Sequence, residues 1–419
     1  MRALRLVVAA YTVLVVQPLH AQTTAIRAGR LLDPATGEVT ADQVILIAES
    51  LITAVGADLE IPDGTVAVDL SDRTVLPGLI DAHTHMCSGM RLEQHFGRPT
   101  LAVIYNSTPY RAIRGVIRAR EVLEAGFTTI RDVGNAADWA DLAVRRAINE
   151  GLVPGPTMLV SGKIISPYGG QQFLPTEHAW LADKEYLFAD TRDELRKAIR
   201  LNAHQNVDII KIIVDDQRYV YSVDDLRYIV AEAADAGLKV AAHCMTERGA
   251  HNAAEAGVHS IEHGWYLSDE TMELMKRNDV TLVTTEFTAD VLREYNLDEE
   301  TSRQLHGIPV ERMTRAHRLG VPIAFGSDLI MDFDDMTRGE AALSLLDSFV
   351  ESGVPPDAIL YYMITEPARL LGMEDSRGSV APGYYADIIA TTDNPLENIN
   401  TLKDVRFVMK AGEIIKQRD

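Results

Sequence analysis

Six residues in this chain have side chains and surroundings suited to metal-assisted hydrolysis. His83 and His85 follow the apolar run Pro77-Gly78-Leu79-Ile80 and stand two residues apart. On an extended chain that spacing puts both imidazoles on one face. Paired imidazoles at a strand mouth are good ligands for a divalent metal. Lys211 lies among aliphatic residues in Asp208-Ile209-Ile210-Lys211-Ile212-Ile213-Val214. Burying an ammonium there is costly, which leaves two readings. The lysine snorkels its charge to the strand end, or its amine has reacted with carbon dioxide to give an anionic carbamate able to bridge two metal ions. Burial lowers a lysine pKa and so favours the neutral nucleophile that the second reading needs. His243 ends Ala241-Ala242-His243, and His263 sits in Ile261-Glu262-His263-Gly264. One histidine on an apolar strand is commonly a satisfied core group, but two at successive strand ends point to ligands. Asp328 ends Phe325-Gly326-Ser327-Asp328. A carboxylate there can bind metal and take a proton from water, or cap a following helix. The set His83, His85, Lys211, His243, His263 and Asp328 is far more specific than any one member.

The elements that must position these residues alternate. Strand-like runs fall at 75–80, 128–133, 157–165, 207–214, 239–243, 260–263, 281–285 and 322–326. Helical stretches between them include 111–125, 193–204, 223–236, 269–277 and 309–318. Such alternation predicts an α/β fold with a parallel sheet, most economically a closed (β/α)8 TIM barrel. The six residues then fall at the C-terminal ends of strands one, four, five, six and eight, where barrel active sites are built. Short β-type runs at 24–28, 44–48, 52–55 and 66–70 precede the barrel, and others at 387–390 and 405–411 follow it. These predict a small β-sandwich made from both chain ends. The expected division is a signal peptide over 1–21, sandwich segments over 22–74 and 374–419, and the barrel over 75–373.

Residues 1–21 read as a secretory signal: Arg2 and Arg5, an apolar run, Pro18, then a small residue at Ala21. The apolar run is too short for a membrane span. The expected location is periplasmic or secreted, with no membrane association after cleavage. Apolar residues make up 47 % of the 419 residues, enough for an extensive core. Lys and Arg number 40 against 61 Asp and Glu, a net charge of −21, so nucleic acid is a poor partner. Two cysteines, Cys87 and Cys244, exclude a disulfide framework.

The pattern resembles the amidohydrolase superfamily. The resemblance is carried by Pro77-Gly78-Leu79-Ile80-Asp81-Ala82-His83-Thr84-His85, by Gly126-Phe127-Thr128-Thr129-Ile130-Arg131-Asp132-Val133-Gly134, by the Lys211 strand, by Ser260-Ile261-Glu262-His263-Gly264 and by Gly326-Ser327-Asp328. Pro382-Gly383-Tyr384-Tyr385-Ala386-Asp387 resembles the family's return into its sandwich. The resemblance implies two divalent metal ions, usually zinc. His83, His85 and Asp328 would hold the more buried ion and His243 and His263 the outer one, bridged by N6-carboxylysine at Lys211. Within the superfamily the chain is similar to the prolidase-like branch, which contains Xaa-Pro dipeptidases, carboxypeptidase-like enzymes acting on N-acyl amino acids, and ochratoxin-hydrolysing amidases. Thr365-Glu366-Pro367-Ala368-Arg369-Leu370-Leu371-Gly372 adds to that similarity.

What this implies is a hydrolase that cleaves the C-terminal amino acid from small N-acyl amino acids or dipeptides, with Asp328 as the proton shuttle. Members are often homo-oligomers, some octameric. One stretch departs from the pattern. Many relatives carry Gly-Gly-His-Gly after strand three, whereas this chain has Gly169-Gly170-Gln171-Gln172. Gln171 therefore stands where a histidine would help hold substrate, with His178 as a nearby substitute. Arg218, Tyr219 and Tyr221 after strand four are candidates for clamping a carboxylate or acyl group; the bland alternative is a solvated loop. Three alternatives remain open: a cyclic-amide or lactone hydrolase sharing all six residues, a deaminase, which Lys211 disfavours, and a binding protein on a dead barrel, which the intact ligand set disfavours.

Overall fold

A computed structural model of the chain describes residues 23–418, apart from 135, 136, 172, 173 and 217. The expected signal over 1–21 lies outside the described residues. Strands β1 (Thr23–Asp33), β2 (Glu38–Ala48), β3 (Leu51–Gly56) and β4 (Val66–Pro77) come first. The barrel follows, with β5 (Leu79–Thr84), β6 (Phe127–Asp132), β7 (Thr157–Val160), β8 (Ile164–Ser166), β9 (Tyr186–Phe188), β10 (Ile209–Ile213), β11 (Lys239–Cys244), β12 (Ser260–His263), β13 (Thr281–Thr284) and β14 (Ile323–Phe325). β15 (Ile388–Thr391), β16 (Phe407–Lys410) and β17 (Glu413–Gln417) close the chain.

Both ends join in one seven-stranded sheet, ordered β17-β16-β15-β4-β1-β2-β3. β1 runs antiparallel to β2 and parallel to β4. The register with β4 shifts between Ala28 and Arg30. Gly29 is required at that bulge, because a Cβ there would lie 1.9 Å from the Ser71 carbonyl oxygen. The sheet curls until the Ile52 N–H donates to the Tyr384 carbonyl at 2.9 Å, beside the start of β15. Its enclosed face holds Ile26, Ile45, Ile47, Val68, Ile388 and Phe407.

The parallel strands lie in two hydrogen-bonded arcs, β5-β6-β7 and β14-β13-β12-β11-β10-β8-β9. The Asp208 N–H donates to the Val160 carbonyl at 2.8 Å, and the Asp328 N–H donates to the His83 carbonyl at 2.8 Å. Those bonds bring the arcs together into the TIM barrel. Three expectations are modified. Strand one starts at Leu79, because Val75–Pro77 belongs to β4 and pairs with β15. The third strand is broken after Val160 and resumes as β8. The helix expected from Pro309 instead spans Glu299–Leu319, capped by the Asp298 carboxylate accepting from the Thr301 N–H at 2.9 Å. Several other helices start at a side-chain cap, for example the Thr191/Glu194 capping box before Arg192–His204.

Inside the barrel shell, Phe325 on β14 stacks on Phe127 of β6 at 5.7 Å and meets Phe349 at 5.9 Å, all three fully buried. Phe325→Ala should therefore lower stability by about 3–5 kcal/mol, through lost transfer energy and a cavity. An unfolding free energy from denaturant titration that changed by less than about 1 kcal/mol would show that this stack does not support the barrel.

Candidate active site

The two histidines of β5 are locked from behind. His83 Nδ1 lies 2.6 Å from Glu262 Oε2, and His85 Nδ1 lies 2.9 Å from the Gly134 carbonyl oxygen. Both outer nitrogens are thereby occupied, and both Nε2 atoms turn to one point, 3.2 Å apart. Burial is the main reason that the His83 pKa is lowered, which favours the neutral ligand form. Asp328 Oδ1 lies 2.9 Å from His85 Nε2 and 3.4 Å from His83 Nε2. Ligand atoms of these three groups all lie within 4.8 Å of one another.

β12 and β14 contribute through unusual backbone. His263 has φ 68° and Asp328 has φ 51°. Left-handed conformations are uncommon for such residues and cluster at functional sites. At these strand ends they turn the side chains towards the barrel mouth. His263 Nδ1 then lies 2.9 Å from Thr285 Oγ1 and 3.4 Å from Asp328 Oδ2. The His263 ring is 4.9 Å from that of His83 and 4.5 Å from that of His243. Lys211 is 2 % exposed, and its Nζ has no hydrogen-bond partner. Burial pulls its pKa down to about 8, against the attraction of Glu262 and Asp328. Four imidazoles and a carboxylate line the same cavity as this orphaned buried amine, and such residues fit divalent ions.

Three residues that carry this site were not assigned from the sequence. Arg131 of β6 is fully buried and places Nη2 2.9 Å from both Glu262 oxygens, while Nη1 donates to Ser260 Oγ at 3.1 Å. Burial opposes ionisation of Glu262, but Arg131 and His83 hold its carboxyl well below the usual range. Both residues sit inside fully buried strands, but these strands are of mixed polarity, unlike the aliphatic strand of Lys211. Asp216 is the third: its Oδ2 lies 2.7 Å from His243 Nε2, and its φ is 88°. Gln171 Nε2 donates to that same Oδ2 at 2.9 Å, and the Tyr186 hydroxyl donates to Gln171 Oε1 at 3.3 Å.

Gln171 thus lines the cavity, as do the six ligand candidates. The other expected substrate contacts lie outside its lining. His178 is exposed on the short helix Thr176–Lys184. Arg218 and Tyr219 are exposed. Tyr221 is buried, with its hydroxyl donated to the Ala189 carbonyl at 2.6 Å, which makes it a strut rather than a clamp. The cavity has a volume of about 930 Å³, and its walls above the polar floor are mainly apolar.

A family model described as "Amidohydrolase family" matches residues 74–415. The chain belongs to the amidohydrolase family. It falls in the prolidase-like branch and is a hydrolase acting on amide bonds. It is 28 % identical over 437 residues to ochratoxinase from Aspergillus niger, covering 95 % of this chain and 87 % of that one. The crystal structure of A. niger ochratoxinase superposes with a TM-score of 0.80, at 25 % identity, over 95 % of this chain and 96 % of that one. A Xaa-Pro dipeptidase with methionine bound in its active site gives a TM-score of 0.83, at 28 % identity, over 94 % and 99 %. A prolidase complexed with N-methylphosphonate-L-proline gives 0.81, at 26 % identity, over 95 % and 100 %. Divalent metals are general in this family, and His83, His85 and Asp328 form one possible metal-binding group here.

The backing of His83 by Glu262 is open to a direct test. Glu262→Gln keeps the shape but weakens the hold on His83 and on Arg131. Metal affinity should fall by about 10- to 100-fold, read by competition with a chelator. Unchanged affinity would mean that Glu262 does not orient the ligand.

Proposed function

We propose that this chain is a binuclear amidase that removes the C-terminal amino acid from N-acyl amino acids or dipeptides, a class that includes the cleavage of ochratoxin A to ochratoxin alpha and phenylalanine. The carrying observation is that His83, His85, His243, His263 and Asp328 line one largely apolar-walled cavity together with an orphaned Lys211 amine. The similarity to ochratoxinase, to a Xaa-Pro dipeptidase and to a prolidase supports the substrate class.

In this reading His83, His85 and Asp328 hold one divalent ion, and His243 and His263 hold the other. Lys211, if carboxylated on Nζ, would add a further anionic donor to both, and zinc would suit the imidazole and carboxylate donors. Bound ions would supply Lewis acidity and lower the pKa of water in the site. Asp328 takes one proton from the attacking water as the new C–O bond forms. It returns that proton to the amide nitrogen as the C–N bond breaks, so that a carboxylic acid and a free amino acid leave. The short contacts to His83 and His85 keep the Asp328 carboxylate aimed at the floor of the cavity. Glu262 and Arg131 keep His83 in register with it. Gln171 and Asp216 fix His243 from the opposite side. The same reading keeps residues 1–21 as a secretion signal and the working form as a homo-oligomer. The two cysteines are free and buried, so the fold needs no oxidative cross-link.

The decisive assay is a panel of N-acyl amino acids and Xaa-Pro dipeptides, with ochratoxin A included, run with and without chelator. Chelator-sensitive release of the free amino acid supports the reading, and less than one metal per chain after reconstitution argues against it. Asp328→Asn should lower kcat by about 10²- to 10⁴-fold with metal largely retained; near-wild-type turnover would remove the proton shuttle. Lys211→Ala should lose metal and activity, with partial rescue by short carboxylic acids. A metal-replete, fully active Lys211→Ala protein would dispose of the carboxylated lysine.

A further inference from the structure

We propose that Arg98 receives the carboxylate of the departing amino acid, and that the wall beside it selects an apolar side chain on that amino acid. The inference rests on the amidase reading above and deepens it.

Arg98 is the one arginine lining the cavity that holds the metal-ligand candidates. No ion pair of Arg98 occurs among the described residues. The other basic residue of the lining, Lys211, is buried on the floor within the ligand cluster. Asp216 and Asp328 are also on the floor. In the amidase reading the floor is taken up by the metal ligands and the scissile carbonyl, which leaves the rim for the substrate's own carboxylate. The whole chain carries −21, so a local positive group at the mouth counts for more than it would on a neutral surface.

The backbone that presents Arg98 is held in place. Phe96 and Gly97 are both left-handed, with φ 53° and 70°. A Cβ on Gly97 would lie 2.5 Å from the Tyr295 carbonyl carbon, so this turn packs against another wall of the same cavity. The Arg98 N–H donates to the His95 carbonyl at 2.9 Å. From there the helix Pro99–Tyr105 runs along the rim. Leu101 and Ile104, three residues apart on that helix and so neighbours on its surface, line the cavity with Arg98. Phe287, Leu292, Tyr295 and Leu297 contribute further apolar lining. A carboxylate paired with Arg98 therefore brings the side chain on its own α-carbon into contact with apolar surface, while the acyl carbonyl points to the floor. The chemistry fits an N-acyl derivative of a bulky apolar amino acid.

The test uses metal-loaded full-length enzyme with N-benzoyl-L-phenylalanine and its C-terminal amide, scoring benzoate release. Wild type should prefer the free acid. In Arg98→Met the acid-to-amide ratio of kcat/KM should fall by about 30-fold, mostly through KM, and Arg98→Lys should retain part of the preference. A purely structural role would lower both substrates together and leave the ratio intact, which overturns the proposal. No acid preference in wild type also overturns it. A binding measurement separates this inference from the amidase reading. Calorimetric titration with L-phenylalanine and L-phenylalaninamide needs no turnover. If wild type cleaves neither benzoyl compound yet Arg98→Met loses its preference for binding the acid, the amidase reading fails and Arg98 stands. Equal discrimination by wild type and Arg98→Met, or none in either, removes Arg98 from substrate recognition.

Discussion

A buried charge chain, Arg131–Glu262–His83, is what the remainder of the site is built on. Arg131 and Glu262 are both fully buried in the barrel interior. Either alone would carry a desolvation penalty of several kcal/mol. The penalty is offset only because the guanidinium reaches both carboxylate oxygens at 2.9 Å and Ser260 Oγ at 3.1 Å. The ion pair ties β6 to β12, and the Arg131 Nε–H bond to the Ala82 carbonyl adds β5. Glu262 Oε1 also accepts from the Ser260 hydroxyl, and its Oε2 makes the 2.6 Å contact with His83 Nδ1. Stability and function are coupled there, since a change that loosens the brace also frees the imidazole to rotate away from its partners.

The brace lies beneath the site, and strand-end backbone supplies what lies above it. Glu262 and His263 are neighbours on β12, and neighbours on a regular strand face opposite sides. The left-handed His263 breaks that rule, so both can serve the interior, one below and one at the mouth. Asp328 does the same after β14, where Gly326 is needed because a Cβ would lie 2.6 Å from His83 Cβ. Asp81 stitches the seam: its Oδ1 accepts from the N–H groups of His83 and Ser327, each at 3.0 Å. The first and eighth strands are thereby held together at the level of the ligands.

Much of the barrel, and the gathering of the six candidate residues at its mouth, was legible because several polar groups at successive strand ends together leave few bland explanations. His83, His85, Lys211, His243, His263 and Asp328 all stood out in that way and all line one cavity. Arg131 and Glu262 stand in strands of mixed polarity, where a charge is less conspicuous, and a pairing between residues 131 positions apart is set by barrel closure and not by spacing. The link from Gln171 to Asp216 and His243 joins loops after different strands, so no periodicity marks it. Arg218, Tyr219 and Tyr221 were attractive for their chemistry, but side-chain direction in a loop is decided by packing. Tyr221 found the Ala189 carbonyl instead of the cavity. Arg98 was missed for the converse reason: its exposed position gives no burial signal, and only the turn of the chain brings it to the rim.

The split terminal sheet also has a physical consequence for the chemistry. β4 leads into β5 through Gly78, whose N–H donates to the Asp387 carbonyl at 2.9 Å. A Cβ on Gly78 would lie 2.1 Å from Thr128 Oγ1, so the junction packs directly on the barrel. Pairing of β4 with β15 from Thr74 to Pro77 fixes the height at which β5 enters the barrel. Asp387 is itself held by Lys410 at 2.9 Å and by Arg377 at 3.2 Å. The register of His83 and His85 is therefore set partly by residues more than three hundred positions later. A slip of one residue at that junction would turn both imidazoles away from Asp328. The terminal sheet is thus the clamp that sets the first barrel strand, and it ties the placement of His83 and His85 to the C-terminal strands.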